Sequence, residues 1–277
     1  MAKGIGLIGN FKGKVGNMVG YKLTDSNSGN TQGIRVYQPI VKNPKTAAQA
    51  EQRAKLAPIN ATYRALKMVI DRGNEGLPYG NKSRLAWLKN AFKASQMVWI
   101  EKSKPVTEVL LCQLTKGSIV TSLSPEGGES FLTLSVAGVA AATTTTIGLL
   151  STALLAQFTG LKNGDQLTFV ATIGINNGLQ SVIESIVLDT TSNVAIPSFI
   201  TVEDGTVLFM SSFSQTAFAV IVSREGTNGE HLRSNSFLMM SGDYDVTVLN
   251  DTAKTAAIES YMSSAAVNAD WAEESIQ

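Results

Sequence analysis

The spacing of apolar positions changes period near residue 105. From Lys45 to Leu56 nearly every residue is a strong helix former, and Asn43-Pro44 supplies a capping side chain and a first-turn proline just before it. Pro58 falls inside the run, so a kink or restart is expected near Ala57-Pro58, with Tyr63, Leu66 and Ile70 on one face of the continuation. Gly73, Gly76, Pro78 and Gly80 mark a loop, and Ser83–Gln96 reads as a further helix with Leu85, Leu88 and Phe92 on one side and Trp87 beside them. Beyond Pro105 the pattern alternates. Strands are expected at Val106–Thr115, Phe131–Ala137, Gln166–Ile175, Ser181–Leu188, Thr206–Ser211, Ala217–Ser223, Ser234–Met240 and Asp245–Leu249, separated by turns such as Asn163-Gly164-Asp165, Asn176-Asn177-Gly178 and Asp204-Gly205. A short helix near Gly148–Phe158 interrupts them, and a last one starts at Thr252 and runs through Ser263 toward Glu274.

Residues 1–42 follow neither period. Glycines punctuate them (Gly4, Gly6, Gly9, Gly13, Gly16, Gly20), with extended pieces at Met18–Leu23 and Gly33–Ile40 around a polar turn at Thr24–Gln32. Ordered glycines cost extra backbone entropy, so this arm is expected to be ordered mainly by contact with something else. The fold class that results is α+β: an extended glycine-rich N-terminal arm with helices, then a mainly antiparallel β-sandwich-like domain with a C-terminal helix. The expected divisions are a glycine-rich basic arm over 1–42, a helical segment over 43–104 and a β-rich domain over 105–277 that folds without the rest.

Charge changes the picture at the same boundary. The net charge is only +1, yet residues 1–110 hold 18 Lys+Arg against 6 Asp+Glu, and the remainder holds 5 against 16. A basic arm on an acidic body suits either a polyanion or self-complementation between copies; the arm has no run of adjacent cations, and both readings stay open. Charged residues make up only 16% of the chain, which fits a surface partly covered by partners.

Candidate chemistry is sparse. Gly4-x-Gly6-x-x-Gly9 matches the dinucleotide fingerprint in letters, but only three residues precede it where a buried strand is required. The one histidine, His231, reads as a turn residue between strands, and the one cysteine, Cys112, as a small core residue flanked by leucines. Asp243 and Asp245 lack the further oxygen ligands of a calcium loop. Residues 4–20 contain no apolar signal-peptide core, and the uncharged stretch from Ser130 to Leu161 is broken by Thr143–Thr146, Gly138 and Gly148, so no membrane span is expected. The reading is of a protein that is not an enzyme, with no cofactor and no metal site.

Three stretches carry a resemblance: Gly13-Lys14-Val15-Gly16-Asn17-Met18-Val19-Gly20-Tyr21-Lys22; Arg35 followed by Asn43-Pro44-Lys45-Thr46, Gln49 and Gln52-Arg53-Ala54-Lys55; and Leu114-Thr115-Lys116-Gly117-Ser118. Their order resembles a family of unknown function widespread in Bacteroidetes and their mobile elements and phages, whose members pass from a Gly-Lys-Val-Gly segment through an Asn-Pro-x-Thr-x-x-Gln helix to a β-rich domain. The loop at 24–32 and the apolar stretch 136–161 depart from that pattern. The resemblance implies a structural or assembly protein, a phage virion component made in the bacterial cytoplasm, forming a homo-oligomer or joining other virion subunits. The residues expected to make arm contacts are Lys12, Gly13, Lys14, Gly16, Gly20, Tyr21, Lys22 and Arg35, and those of the helix motif are Asn43, Pro44, Thr46, Gln49 and Arg53. Two alternatives compete: a nucleic-acid-binding or packaging-associated protein using the basic segment, with Phe11, Tyr21 and Tyr37 stacking on bases, and a surface adhesin or glycan-binding β domain.

Overall fold

The structure is a computed structural model that describes residues 13–15, 17–25, 29–36, 46–123, 126–127, 132–137, 139, 145–203, 205–209 and 216–263. It divides into two compact units, Met1–Lys45 and Thr46–Gln277.

The first unit is a three-stranded antiparallel sheet of β1 (Gly13–Val15), β2 (Met18–Asp25) and β3 (Gly29–Val36), in that order. The β2–β3 ladder closes down to Asp25 opposite Gly29, so the expected loop at 24–32 narrows to a hairpin tip. The arm's strands thus pair with one another.

In the second unit α1 (Ala47–Ala65) begins later than Asn43-Pro44 suggests, and those two residues lie outside the described ones. Thr46 is the N-cap: its Oγ1 accepts from the backbone N–H of Gln49 at 3.3 Å. The Thr-x-x-Gln part of the motif is therefore one half of a capping box. The expected restart at Pro58 does not occur; one helix runs through it, with Pro58 on the buried face beside Ala50, Ala54, Ile59 and Thr62. The break falls at Leu66, before the single turn α2 (Lys67–Ile70), and α3 spans Asn81–Ala91.

The strands of this unit are β4 (Gln113–Thr115), β5 (Glu126–Gly127), β6 (Leu132–Ser135), β7 (Gln166–Ile175), β8 (Gly178–Val187), β9 (Ile200–Glu203), β10 (Thr206–Phe209), β11 (Ala217–Glu225), β12 (His231–Arg233), β13 (Ser236–Phe237) and β14 (Met239–Met240). They build a sheet in the order β12-β11-β7-β8 with β14 also on β11, a smaller sheet β5-β6-β10-β9, and the pair β13-β4, all antiparallel. The helices α4 (Ile147–Gln157) and α5 (Asp251–Ser263) complete the α+β fold. The β7–β8 hairpin turns on Asn176-Asn177, with Ile175 paired to Gly178, the two-residue loop that suits strand twist.

Alternation along the large sheet divides its side chains between two cores. Leu167, Phe169, Ala171, Phe218 and Val222 pack with Leu134, Ile200, Val207 and Phe209 of the small sheet and with Leu150 and Leu154 of α4. Val170, Ala217, Ala219 and Ile221 pack with Ile59, Leu66, Ile70 and Trp87 from the helices and with Ala257 of α5. The large sheet is thus a middle layer, covered by helices on one face and mainly by the small sheet on the other. The helical segment and the β-rich domain share a core, so the expected division at 104/105 is replaced by the one at Lys45/Thr46.

Two expected strands have other conformations. Of Val106–Thr115 only Gln113–Thr115 is strand, because side chains take up the backbone groups before it: Leu110 N–H donates to Thr62 Oγ1 at 2.9 Å, and Val109 C=O accepts from Tyr244 Oη at 2.8 Å. Val246–Leu249 is a 3-10 turn capped by Asp245, whose carboxylate accepts from Thr247 N–H at 2.9 Å. No helix among the described residues is long and apolar enough to cross a membrane.

Candidate functional site

In the first unit, Gly13 and Gly20 sit opposite each other in the β1–β2 ladder, with Ile34 opposite Gly20 on the other side. Lys14 and Arg35 are both registered with Val19, Tyr21 with Gly33 and Lys22 with Gln32. Lys12 and Gly16 lie outside the described residues. The ladder therefore gathers Gly13, Lys14, Gly20, Tyr21, Lys22 and Arg35 onto one small sheet, in which β3 is an outer strand of eight residues. An outer strand presents a row of backbone donors and acceptors to whatever lies beside it. Of the helix-motif residues, Thr46 and Gln49 start α1 and Arg53 is exposed on it.

A second cluster, which sequence reasoning missed, is in the other unit around the loop between α2 and α3. Asn74 anchors that loop: its Nδ2 donates to the carbonyl oxygen of Ser83 at 3.1 Å and to Ser83 Oγ at 3.2 Å, while Ser83 Oγ donates to Ile70 C=O at 2.7 Å. Asn74 also bridges to Lys116. The next residue, Glu75, accepts from Ser118 N–H at 2.9 Å and Arg233 N–H at 3.1 Å. Burial alone would raise its pKa, but these donors and the Arg233 charge hold the carboxyl below the usual range. Gly117 is required here, because a Cβ would overlap the carbonyl oxygen of Arg233.

Tyr79 stands out from the same loop, 54% exposed. The guanidinium of Arg72 lies 5.6 Å from its ring centroid, that of Arg233 6.0 Å away, and the ring of His231 stacks at 6.2 Å. Arg233 Nε donates to Arg72 C=O at 2.6 Å, which fixes the two arginines side by side. His231 opens β12 rather than occupying a turn.

A cleft of about 300 Å³ reaches from these arginines onto the sheet, lined by Met68, Gln166, Thr168, Ser185 and Ser223. Thr168 is registered with both Ile221 and Ser185, so here the helix-side face of the sheet changes from apolar to hydroxyl-bearing where it emerges from the core. A second, larger cleft of about 610 Å³, which includes the Asn74–Lys116 bridge, is lined by Lys89, Lys93, Asn90 and Ser118. None of Arg72, Arg233, Lys89, Lys93 and Lys116 makes a salt bridge among the described residues. A signal was present in the sequence: only five cations follow residue 110, and two of them, Lys116 and Arg233, are here.

Two other buried groups, Cys112 and Glu108, have shifted pKa values. Burial pushes the Cys112 thiol up to about 12, so it stays protonated. No three His, Cys, Asp or Glu residues among the described ones could hold a metal ion together. Glu108 is 5% exposed; its carboxyl accepts from Asp245 N–H, and its Oε2 has no partner among the described residues. Burial, with the nearby Asp245 charge, raises it to about 7. Because the folded pKa lies above the ordinary 4.5, the folded chain holds this proton more tightly, so the stability it contributes is complete below 4.5 and is lost as pH rises through 7. Glu108→Gln is expected to raise stability by about 2–3 kcal/mol at pH 8 and by little at pH 4. Urea denaturation at both pH values checks this; an equal effect at the two would show that Glu108 does not titrate in this range.

Compared with known proteins, the chain matches no family model, no curated protein and no solved structure.

Proposed function

We propose that this is a non-enzymatic structural protein, a phage virion component whose N-terminal unit joins neighbouring subunits. The observation that carries the reading is the small sheet with an eight-residue outer strand, held on a unit separate from the body. Adding a strand to such an edge supplies main-chain hydrogen bonds without any specialised pocket. The low charge content and the opposite signs of the two halves support contacts between copies. The likeness of Gly13–Lys22 and Asn43–Lys55 to a phage-associated family supports the virion as the place.

The Gly13–Gly20 pair gives the test. Two facing glycines leave one rung of the sheet without side chains, a gap that a Cβ on either strand would occupy. Gly13→Val with Gly20→Val fills it. The full-length double variant is expected to lose assembly, counted as particles or polymers by microscopy, while its melting temperature stays within a few degrees of the unsubstituted protein, since the core residues among the described ones all follow Lys45. Normal assembly of the variant, or a full-length protein that is monomeric and absent from particles, refutes the reading.

A further inference from the structure

We propose that the surface around Tyr79 binds single-stranded nucleic acid, with bases stacking on Tyr79 and phosphates held by Arg72, Arg233, Lys89, Lys93 and Lys116. This site is in the second unit and does not depend on the assembly reading or on the basic arm.

Charge comes first. Arg72 and Arg233 line one cleft and Lys89, Lys93 and Lys116 the other, the two are linked where Glu75 of the second accepts from the backbone of Arg233 in the first, and none of the five cations is neutralised by a salt bridge among the described residues. The acid between them, Glu75, is already committed to the N–H groups of Ser118 and Arg233. Glu225, opposite His231 in the ladder, and Glu230, which accepts from Asn228 N–H, are the acidic neighbours on the His231 side. Five cations without a salt bridge among the described residues, two of them from the five that follow residue 110, suit a ligand with repeated negative charge.

The aromatic group narrows the ligand class. Tyr79 is exposed, yet Arg72, Arg233 and His231 restrain its ring and the Asn74–Ser83 hydrogen bonds brace the loop that carries it. A braced, exposed ring flanked by cations offers a stacking platform beside phosphate contacts, the combination that binds unpaired bases. A duplex hides its base faces and cannot use the ring. The amide and hydroxyls of Gln166, Thr168, Ser185 and Ser223 line the cleft beside the arginines, where they can meet base edges or sugar hydroxyls.

The test uses the full-length protein with fluorescently labelled oligo-dT and oligo-U, read by anisotropy across a salt titration. Binding is expected at low salt, and the slope of log K against log salt should become shallower by roughly 0.7 for each phosphate contact removed in Lys89→Gln, Lys93→Gln and Lys116→Gln. Tyr79→Ala should weaken oligonucleotide binding about ten-fold and leave binding of inorganic polyphosphate unchanged. Substituting Lys12, Lys14, Lys22 and Arg35 with Gln should leave the Tyr79-dependent loss intact. Thermal melting confirms that each variant folds. Absence of binding at low salt, unchanged binding by the Tyr79 and lysine variants, or equal weakening of polyphosphate and oligonucleotide by Tyr79→Ala overturns the proposal.

Discussion

A chain starting at Val106 is expected not to fold. Removing residues 1–105 takes away α1, α2 and α3, and with them Ile59, Leu66, Val69, Ile70, Val98 and Ile100, each at most 9% exposed. At about 1.5–3 kcal/mol for each buried aliphatic side chain, these six account for roughly 9–18 kcal/mol, which equals or exceeds the ~5–15 kcal/mol net stability of an ordinary domain. The loss also uncovers Val170, Ala219 and Ile221 on the middle sheet and leaves Leu110 N–H without Thr62. Circular dichroism and proteolysis of the 106–277 fragment should show a partly ordered, protease-sensitive chain, whereas residues 46–277 should melt cooperatively. A cooperative transition for 106–277 would mean that the small-sheet core alone sustains the fold.

The second large effect is expected at Asp165. Its side chain is fully buried and accepts from Arg224 Nε at 2.6 Å, Arg224 Nη2 at 2.7 Å and Lys162 N–H at 2.8 Å, while Arg224 Nη2 also donates to Gly160 C=O at 2.8 Å. The two residues tie the turn before β7 to the end of β11. Gly164, at φ +91°, makes that turn possible, and its N–H donates to Leu188 C=O at 2.7 Å. Asp165→Ala leaves the Arg224 guanidinium without its anion, and breaking a buried pair costs about 3–5 kcal/mol, or on the order of 10 °C in melting temperature for a unit of this size. Replacing both partners, Asp165→Ala with Arg224→Met, should recover much of the loss because no unpaired charge remains. A single substitution costing under about 1 kcal/mol would show that water replaces the pair.

Neither effect could be read from the chain alone, and the reason is reach. The elements legible in the sequence are those whose signals lie within a few residues of one another. The β7–β8 hairpin has alternating sides and Asn176-Asn177 between them, α4 has Thr146 to cap it and an apolar run to bury, and Cys112 sits among leucines. Even the Thr46–Gln49 capping pair is visible as letters, although the proline before it drew the expected helix start too early.

What the tertiary structure decided lies where a distant group outweighs local preference. Residues 106–112 alternate well enough for a strand, but Thr62 and Tyr244 satisfy their backbone from the helix and from the far end of the chain. Val246–Leu249 are β-formers bent into a turn by one Asp245 carboxylate. Arg72, Tyr79 and Arg233 have no motif in common; a loop braced by Asn74 and a short strand pairing with β11 bring them together across more than half the chain. Local propensities differ by about 1 kcal/mol or less per residue, so a buried side chain or a satisfied buried polar group, worth as much or more, settles the conformation wherever the two conflict. The sequence by itself therefore determined the conformation of segments whose signals are local, such as the β7–β8 hairpin and α4. Only the packed chain decided that helices and sheet share one core and that Arg233 meets Arg72 at the Tyr79 ring.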